Sequence, residues 1–154
     1  MTEYHFTTHW QFDHPLEKVW DIIWVMDHWP EWWKYVRSVE KIKEGRAGEI
    51  GAIRRIHWST ALPYSFTFDS ELTSLVQYKR MEGRAFGDLT GVGIWTFETN
   101  GNGTKVRYDW KVNITKPWMN WLEPVLKPVF KWNHDKVMHA GYTGLLKKLN
   151  SGNT

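Results

Sequence analysis

A chain of 154 residues with a net charge of +3, its 20 basic and 17 acidic side chains interspersed, is expected to form one domain spanning residues 1–154. That mild balance argues against a phosphate-binding face, and the absence of cysteine excludes disulfides and thiol chemistry. The longest apolar run, Ile22 to Met26, is too short to cross a bilayer, whereas 12 Trp, 7 Phe and 6 Tyr make 16% of the chain aromatic.

The first residues, MTEYHFTTHWQFDH, lack a basic stretch followed by an apolar one, so no leader and a cytoplasmic location are expected. They alternate, with Tyr4, Phe6, Trp10 and Phe12 on one face of a strand and His5, Thr7, His9 and Gln11 on the other. In DHPLEKVWDIIWVM the period changes. Asp13 or His14 can cap a helix, Pro15 suits its first turn, and Leu16, Val19, Trp20 and Ile23 form an apolar stripe. Pro30 opens a second short helix carrying Trp32, Trp33 and Val36.

Six further strands are expected. SVEKIKEG and EIGAIRRIHWST read as a hairpin about a Gly-containing turn. YSFTFDSEL sets Tyr64, Phe66, Phe68 and Leu72 against Thr67, Asp69 and Glu71. LVQYKRMEGRA and LTGVGIWTFE follow, then a turn at TNGNGT. KVRYDWKVNI opposes Val106, Tyr108, Trp110, Val112 and Ile114 to Arg107, Asp109, Lys111 and Asn113. After TKPWMNWLEP, Pro128 starts a helix running to about Leu149, roughly 33 Å long. Its apolar positions are Val129, Phe130, Val137, Ala140, Gly141, Leu145 and Leu149, with Lys147 and Lys148 where a helix end favours cations. The whole is an α+β arrangement: a seven-stranded antiparallel sheet, two short helices after the first strand, and one long C-terminal helix.

The segments PLEKVW, LPYSFTF, GDLTGVGIWTFE, GTKVRYDWKV and KPVFKWNHDKVMHAGYTGLLKKL, in this order over nearly the whole chain, resemble the START-related SRPBCC superfamily. The similarity is to its polyketide cyclase/dehydrase and lipid-transport branch. It implies the helix-grip fold, in which the sheet wraps around the C-terminal helix and leaves an apolar cavity roofed by the short helices. Expected ligand-binding residues are then Trp33, Phe66, Phe68, Gly91, Gly93, Trp95, Tyr108, Trp110, Asn133 and Val137. Each ring could equally be core packing. The run MDHWPEWWKYV, with Trp29, Trp32 and Trp33, reads as part lid and part packing, with Glu31 and Lys34 facing water; its acids argue against membrane insertion.

The candidate polar groups are Arg55 and His57 on the third strand, Asn133 and His134 on the long helix, and Tyr108. A cavity arginine would hold an anionic head group, and a cavity histidine could transfer a proton. Arg55 and His134 are accordingly the catalytic candidates. Which face of residues 53–58 points inward is open, since Arg55 and His57 alternate with Ile56 and Trp58. No nucleophile elbow occurs. His5 and His9 stand about 13 Å apart along a strand, and His134 and His139 diverge by about 140° around a helix, so no metal and no cofactor are expected. A binding domain for a small hydrophobic molecule, a lipid or an aromatic polyketide-like compound, is the leading reading. A cyclase or dehydratase acting on such a compound is the alternative. No nucleic-acid signature is present.

Overall fold

The computed structural model of the chain describes residues 3–60, 65–115, 121 and 123–151. Tyr64 and the connection 116–120 lie outside the described residues. Strand β1 (Glu3–Phe12) leads into α1 (Leu16–Trp24), a 3-10 turn (Met26–His28) and α2 (Trp29–Trp32). Six strands follow: β2 (Val36–Lys43), β3 (Ile53–Ser59), β4 (Ser65–Val76), β5 (Arg80–Gly87), β6 (Leu89–Asn100) and β7 (Gly103–Ile114). The chain then forms α3 (Glu123–Ser151).

The sheet is antiparallel throughout, in the order β1-β7-β6-β5-β4-β3-β2. Strands β1 and β2 thus lie at opposite edges, and α1 and α2, which join them, must cross the width of the sheet. Alternation along each strand places one row of large apolar side chains inward. These are Tyr4, Trp10 and Phe12 on β1, Phe66 and Phe68 on β4, Trp95 and Phe97 on β6, and Val106, Trp110, Val112 and Ile114 on β7, all buried. Helix α3 packs against this face through Phe130, Asn133, Val137, Gly141, Leu145 and Leu149, one stripe at three- and four-residue spacing.

Four boundaries differ from expectation. Helix α1 has Pro15 at its N-cap and no side-chain cap; the His14 carbonyl instead accepts a bond from Thr104 Oγ1 (2.7 Å). Helix α2 ends at Trp32, so Trp33 is its C-cap and Val36 begins β2. LVQYKRMEGRA is not one strand, because β4 continues to Val76 and the chain reverses at 77–79, with Tyr78 at φ 65°. Helix α3 begins before Pro128, at Glu123. Pro128 removes a single backbone hydrogen bond in an exposed turn, where water can serve the freed carbonyl.

Candidate ligand cavity

Crossing the sheet brings the three clustered tryptophans against α3. Trp29, Trp32 and Trp33 are all buried, while Glu31 and Lys34 face water. Two glycines permit the contact. A Cβ on Gly141 would lie 2.5 Å from Trp33 Cε2, and one on Gly144 only 1.7 Å from the Trp32 carbonyl oxygen. The Trp33 indole donates to the Val137 carbonyl (2.8 Å) and the Trp29 indole to the Ile23 carbonyl (2.9 Å). Buried indole N–H groups normally find such partners. Two ion pairs anchor the same segment: Asp27 to Arg54 on β3, and Glu31 to Lys148 on α3 (3.8 Å). Glu31 also pairs with His28, which holds its carboxyl below the usual carboxylate range; Lys148 adds to this.

Beneath this roof lies a cavity of about 110 Å³, between the inner face of the sheet and α3. A single water needs ~10–15 Å³ on such a measure, so the space admits a molecule of one or two rings. Its walls are Trp29, Trp33, Trp58, Phe66, Phe68 and Trp95 on one side, and Tyr4, Phe6, Phe130, Val137 and Met138 on the other. Tyr108 and Trp110 form part of the floor; Tyr108 stacks on Trp95 at 4.2 Å between ring centroids. A smaller cavity of about 60 Å³ adjoins it, sharing Trp29, Trp58, Phe68, Trp95, Tyr108 and Trp110 as a common wall.

Few polar groups border this space, and several are unsatisfied. The Trp58 Nε1 donor and both ring nitrogens of His134 are buried with no hydrogen-bond partner. His134 stacks on Phe6 (4.3 Å, 15° between planes). Burial lowers its pKa from 6.5 to about 4; Lys131 works in the same direction, while Asp135 at 3.9 Å opposes it. His134 is therefore a neutral imidazole at pH 7, offering one donor and one acceptor. Burial likewise pushes the Tyr108 hydroxyl well above its ordinary range, so it stays a neutral phenol. Asn133 is the buried amide of the set.

Of the residues expected to bind ligand, Trp33, Phe66, Phe68, Trp95, Tyr108, Trp110, Asn133 and Val137 line the larger cavity, and Gly93 borders the smaller. Gly91 borders neither. A Cβ there would fall 2.0 Å from the Lys111 carbonyl oxygen, so the glycine serves the approach of β6 to β7. The open parity of β3 resolves with Ile56 and Trp58 inward. Arg55 and His57 consequently point away from the cavity. Arg55 forms a two-pronged pair with Asp69 (2.8 and 3.2 Å), which raises its pKa, and His57 bonds Thr67 Oγ1 (2.8 Å). Sequence reasoning missed Arg54, which shares the inward face of Ile56 and Trp58 and lines the smaller cavity. The signal was present in β4, whose inward Phe66 and Phe68 pair with Trp58 and Ile56.

Residues 3–144 match the family described as polyketide cyclase/dehydrase and lipid transport. The chain belongs to this family. Solved structures with the same fold include TTHA0849 from Thermus thermophilus (18% identity, TM-score 0.81, covering 98% of this chain and 100% of that one). A START superfamily protein from Mycobacterium smegmatis aligns at 10% identity and TM-score 0.77, over 96% and 97% of the two chains. The Zhui aromatase/cyclase from Streptomyces sp. R1128 aligns at 15% and 0.67, over 96% and 93%. At these identities the likeness is one of fold. No curated protein sequence matches the chain. Among the described residues, no helix is long and apolar enough to cross a membrane, and no three His, Asp or Glu side chains gather as a metal-binding group.

Proposed function

We propose that this domain binds a small hydrophobic ligand, a lipid or an aromatic polyketide-like compound, in the cavity between the sheet and α3. One observation carries the reading: the cavity is walled by rings, yet the Trp58 and His134 nitrogens are left unpaired at its border. Leaving a buried polar group unsatisfied costs ~1–3 kcal/mol. A ligand with an apolar body and a hydroxyl or carbonyl group recovers that loss, which favours it over a purely hydrocarbon guest. The aromatase/cyclase named above, and the family description, are consistent with this ligand class.

The alternative, a cyclase- or dehydratase-type enzyme, draws on the same neutral imidazole, since His134 could accept a proton from a bound substrate. A base whose conjugate acid has a pKa of about 4 is weak at neutral pH, however, and the fit to hydrogen bonding is better than the fit to proton abstraction. The reading is tested by titrating the protein with 2-naphthol and following tryptophan fluorescence. Saturable quenching is expected in the wild type. Val137→Phe fills the cavity from the helix side and should weaken binding by about tenfold or more while the thermal transition stays cooperative. Equal affinity in wild type and variant would mean that the probe binds elsewhere.

A further inference from the structure

The smaller cavity contains a feature that the larger one lacks. Arg54, on the inward face of β3, is the one cation bordering either cavity among the described residues. Its side chain retains only 13% of its exposure, and its guanidinium is held by Asp27, whose own side chain is 46% exposed. The two bonds are unequal: Nε to Oδ1 at 3.0 Å and Nη2 to Oδ2 at 3.4 Å. The second is long for a charge-assisted fork. On the opposite face of the same strand, Arg55 grips Asp69 more closely on both prongs. Glu82, the acid bordering the smaller cavity, is already engaged by Arg80.

We propose that Arg54 is the anion-binding subsite of this domain, taking the carboxylate of an aromatic acid, with Asp27 as the chain's own occupant of that position. The inference rests on the cavity reading above and names the ligand's chemistry more closely. A ring seated against the shared wall of Trp58, Phe68, Trp95 and Trp110 would direct a carboxylate toward Arg54. Ser70, paired with Arg54 across β3 and β4 and also lining this cavity, supplies a hydroxyl beside it. Asp27 is suited to being displaced. It belongs to a three-residue 3-10 turn rather than to the sheet, and water can receive its carboxylate when it leaves. A guanidinium this sheltered, though not fully buried, favours a counter-charge, so one carboxylate replaces the other. Ligand acid and Asp27 therefore compete for a single fork.

The test compares 2-naphthoate, a carboxylate at pH 7, with neutral 2-naphthol on the full chain. Arg54→Gln should weaken naphthoate by about tenfold and leave naphthol within about twofold. Asp27→Asn should tighten naphthoate by about fivefold, because the competing charge is gone, without changing naphthol. Equal losses of both probes in a folded Arg54→Gln protein, or no loss of either, would overturn the subsite. Should Arg54→Gln fail to fold, the Asp27→Asn ratio decides alone, and an unchanged ratio overturns it. Failure of the wild type to bind either probe would remove the cavity reading together with the subsite, whereas naphthol binding with no response of naphthoate to either substitution removes the subsite only.

Discussion

The two faces of the sheet are built from the same strands and treat polar groups in opposite ways. On the outer face several charges have a partner one strand away or beside them: Arg55 with Asp69, Arg84 with Glu71, Arg107 with Asp109, which also accepts from Thr7. On the inner face, rings take the space and the Trp58 and His134 nitrogens stay unpaired. The Trp32 indole nitrogen, at neither cavity, is also unpaired; the other unpaired nitrogens belong to residues lining the larger cavity, and the ligand reading proposed above draws on those. The contrast extends to the tryptophans. Trp29 and Trp33 spend their N–H groups on backbone carbonyls and hold the roof in place, whereas the N–H of Trp58, in ring contact with both, has no hydrogen-bond partner.

The strongest way to break this arrangement is to lift the roof. Gly144→Ala places a methyl group within 1.7 Å of the Trp32 carbonyl oxygen, where only backbone movement can make room. A loss of about 3 kcal/mol or more is expected in urea denaturation. A cost under about 1 kcal/mol would mean that α2 moves away from α3 freely.

The next effect is one of pH. His134 is neutral in the folded chain because burial lowers its pKa from 6.5 to about 4. The unfolded chain binds that proton below about pH 6.5, and the folded chain only near pH 4. Stability from this group is therefore complete above pH 6.5 and falls as the pH drops toward 4, by roughly 3 kcal/mol in all. His134→Phe, which keeps the stack on Phe6, should flatten this part of the stability profile relative to wild type. Parallel profiles would show that the imidazole titrates alike in the folded and unfolded chain, as a solvated group does.

The smallest effect is expected on the outer face. Arg55→Gln breaks the pair with Asp69, yet it touches neither cavity, so naphthol and naphthoate affinities should both stay within about twofold. A selective loss of naphthoate there would reverse the assignment of the two neighbouring arginines.

Much of this was legible in the chain. Among the described residues, the period-two patterns of β1, β4 and β7 each assign the inward row, because large apolar side chains recur at alternate positions with polar or charged residues between them. Strand β3 is different: Ile53 and Arg55 on one face oppose Arg54, Ile56 and Trp58 on the other, so each side carries both apolar and cationic residues. Only pairing to β4 decides it, and that pairing depends on register, which a single strand does not contain. The start of α3 was obscured for a related reason. Pro128 resembles a helix beginning, and nothing local tells that the helix tolerates it one turn inside. The roof tryptophans were recognisable as a cluster, but which of them bond and line the cavity was not: Trp29 and Trp33 do both, through carbonyls that α1 and α3 bring near them, whereas Trp32 does neither.

The most direct measurement is the set of indole N–H signals in a proton–nitrogen correlation spectrum, recorded as 2-naphthol is added. Trp58 Nε1–H has no partner in the protein, so ligand binding in the cavity should move it most, with smaller shifts at Trp33 and Trp95. The exposed Trp121 should stay in place. Unmoved Trp58, Trp33 and Trp95 signals at a saturating probe concentration, or shifts confined to Trp121 and the half-exposed Trp132, would contradict a ligand site beneath the tryptophan roof.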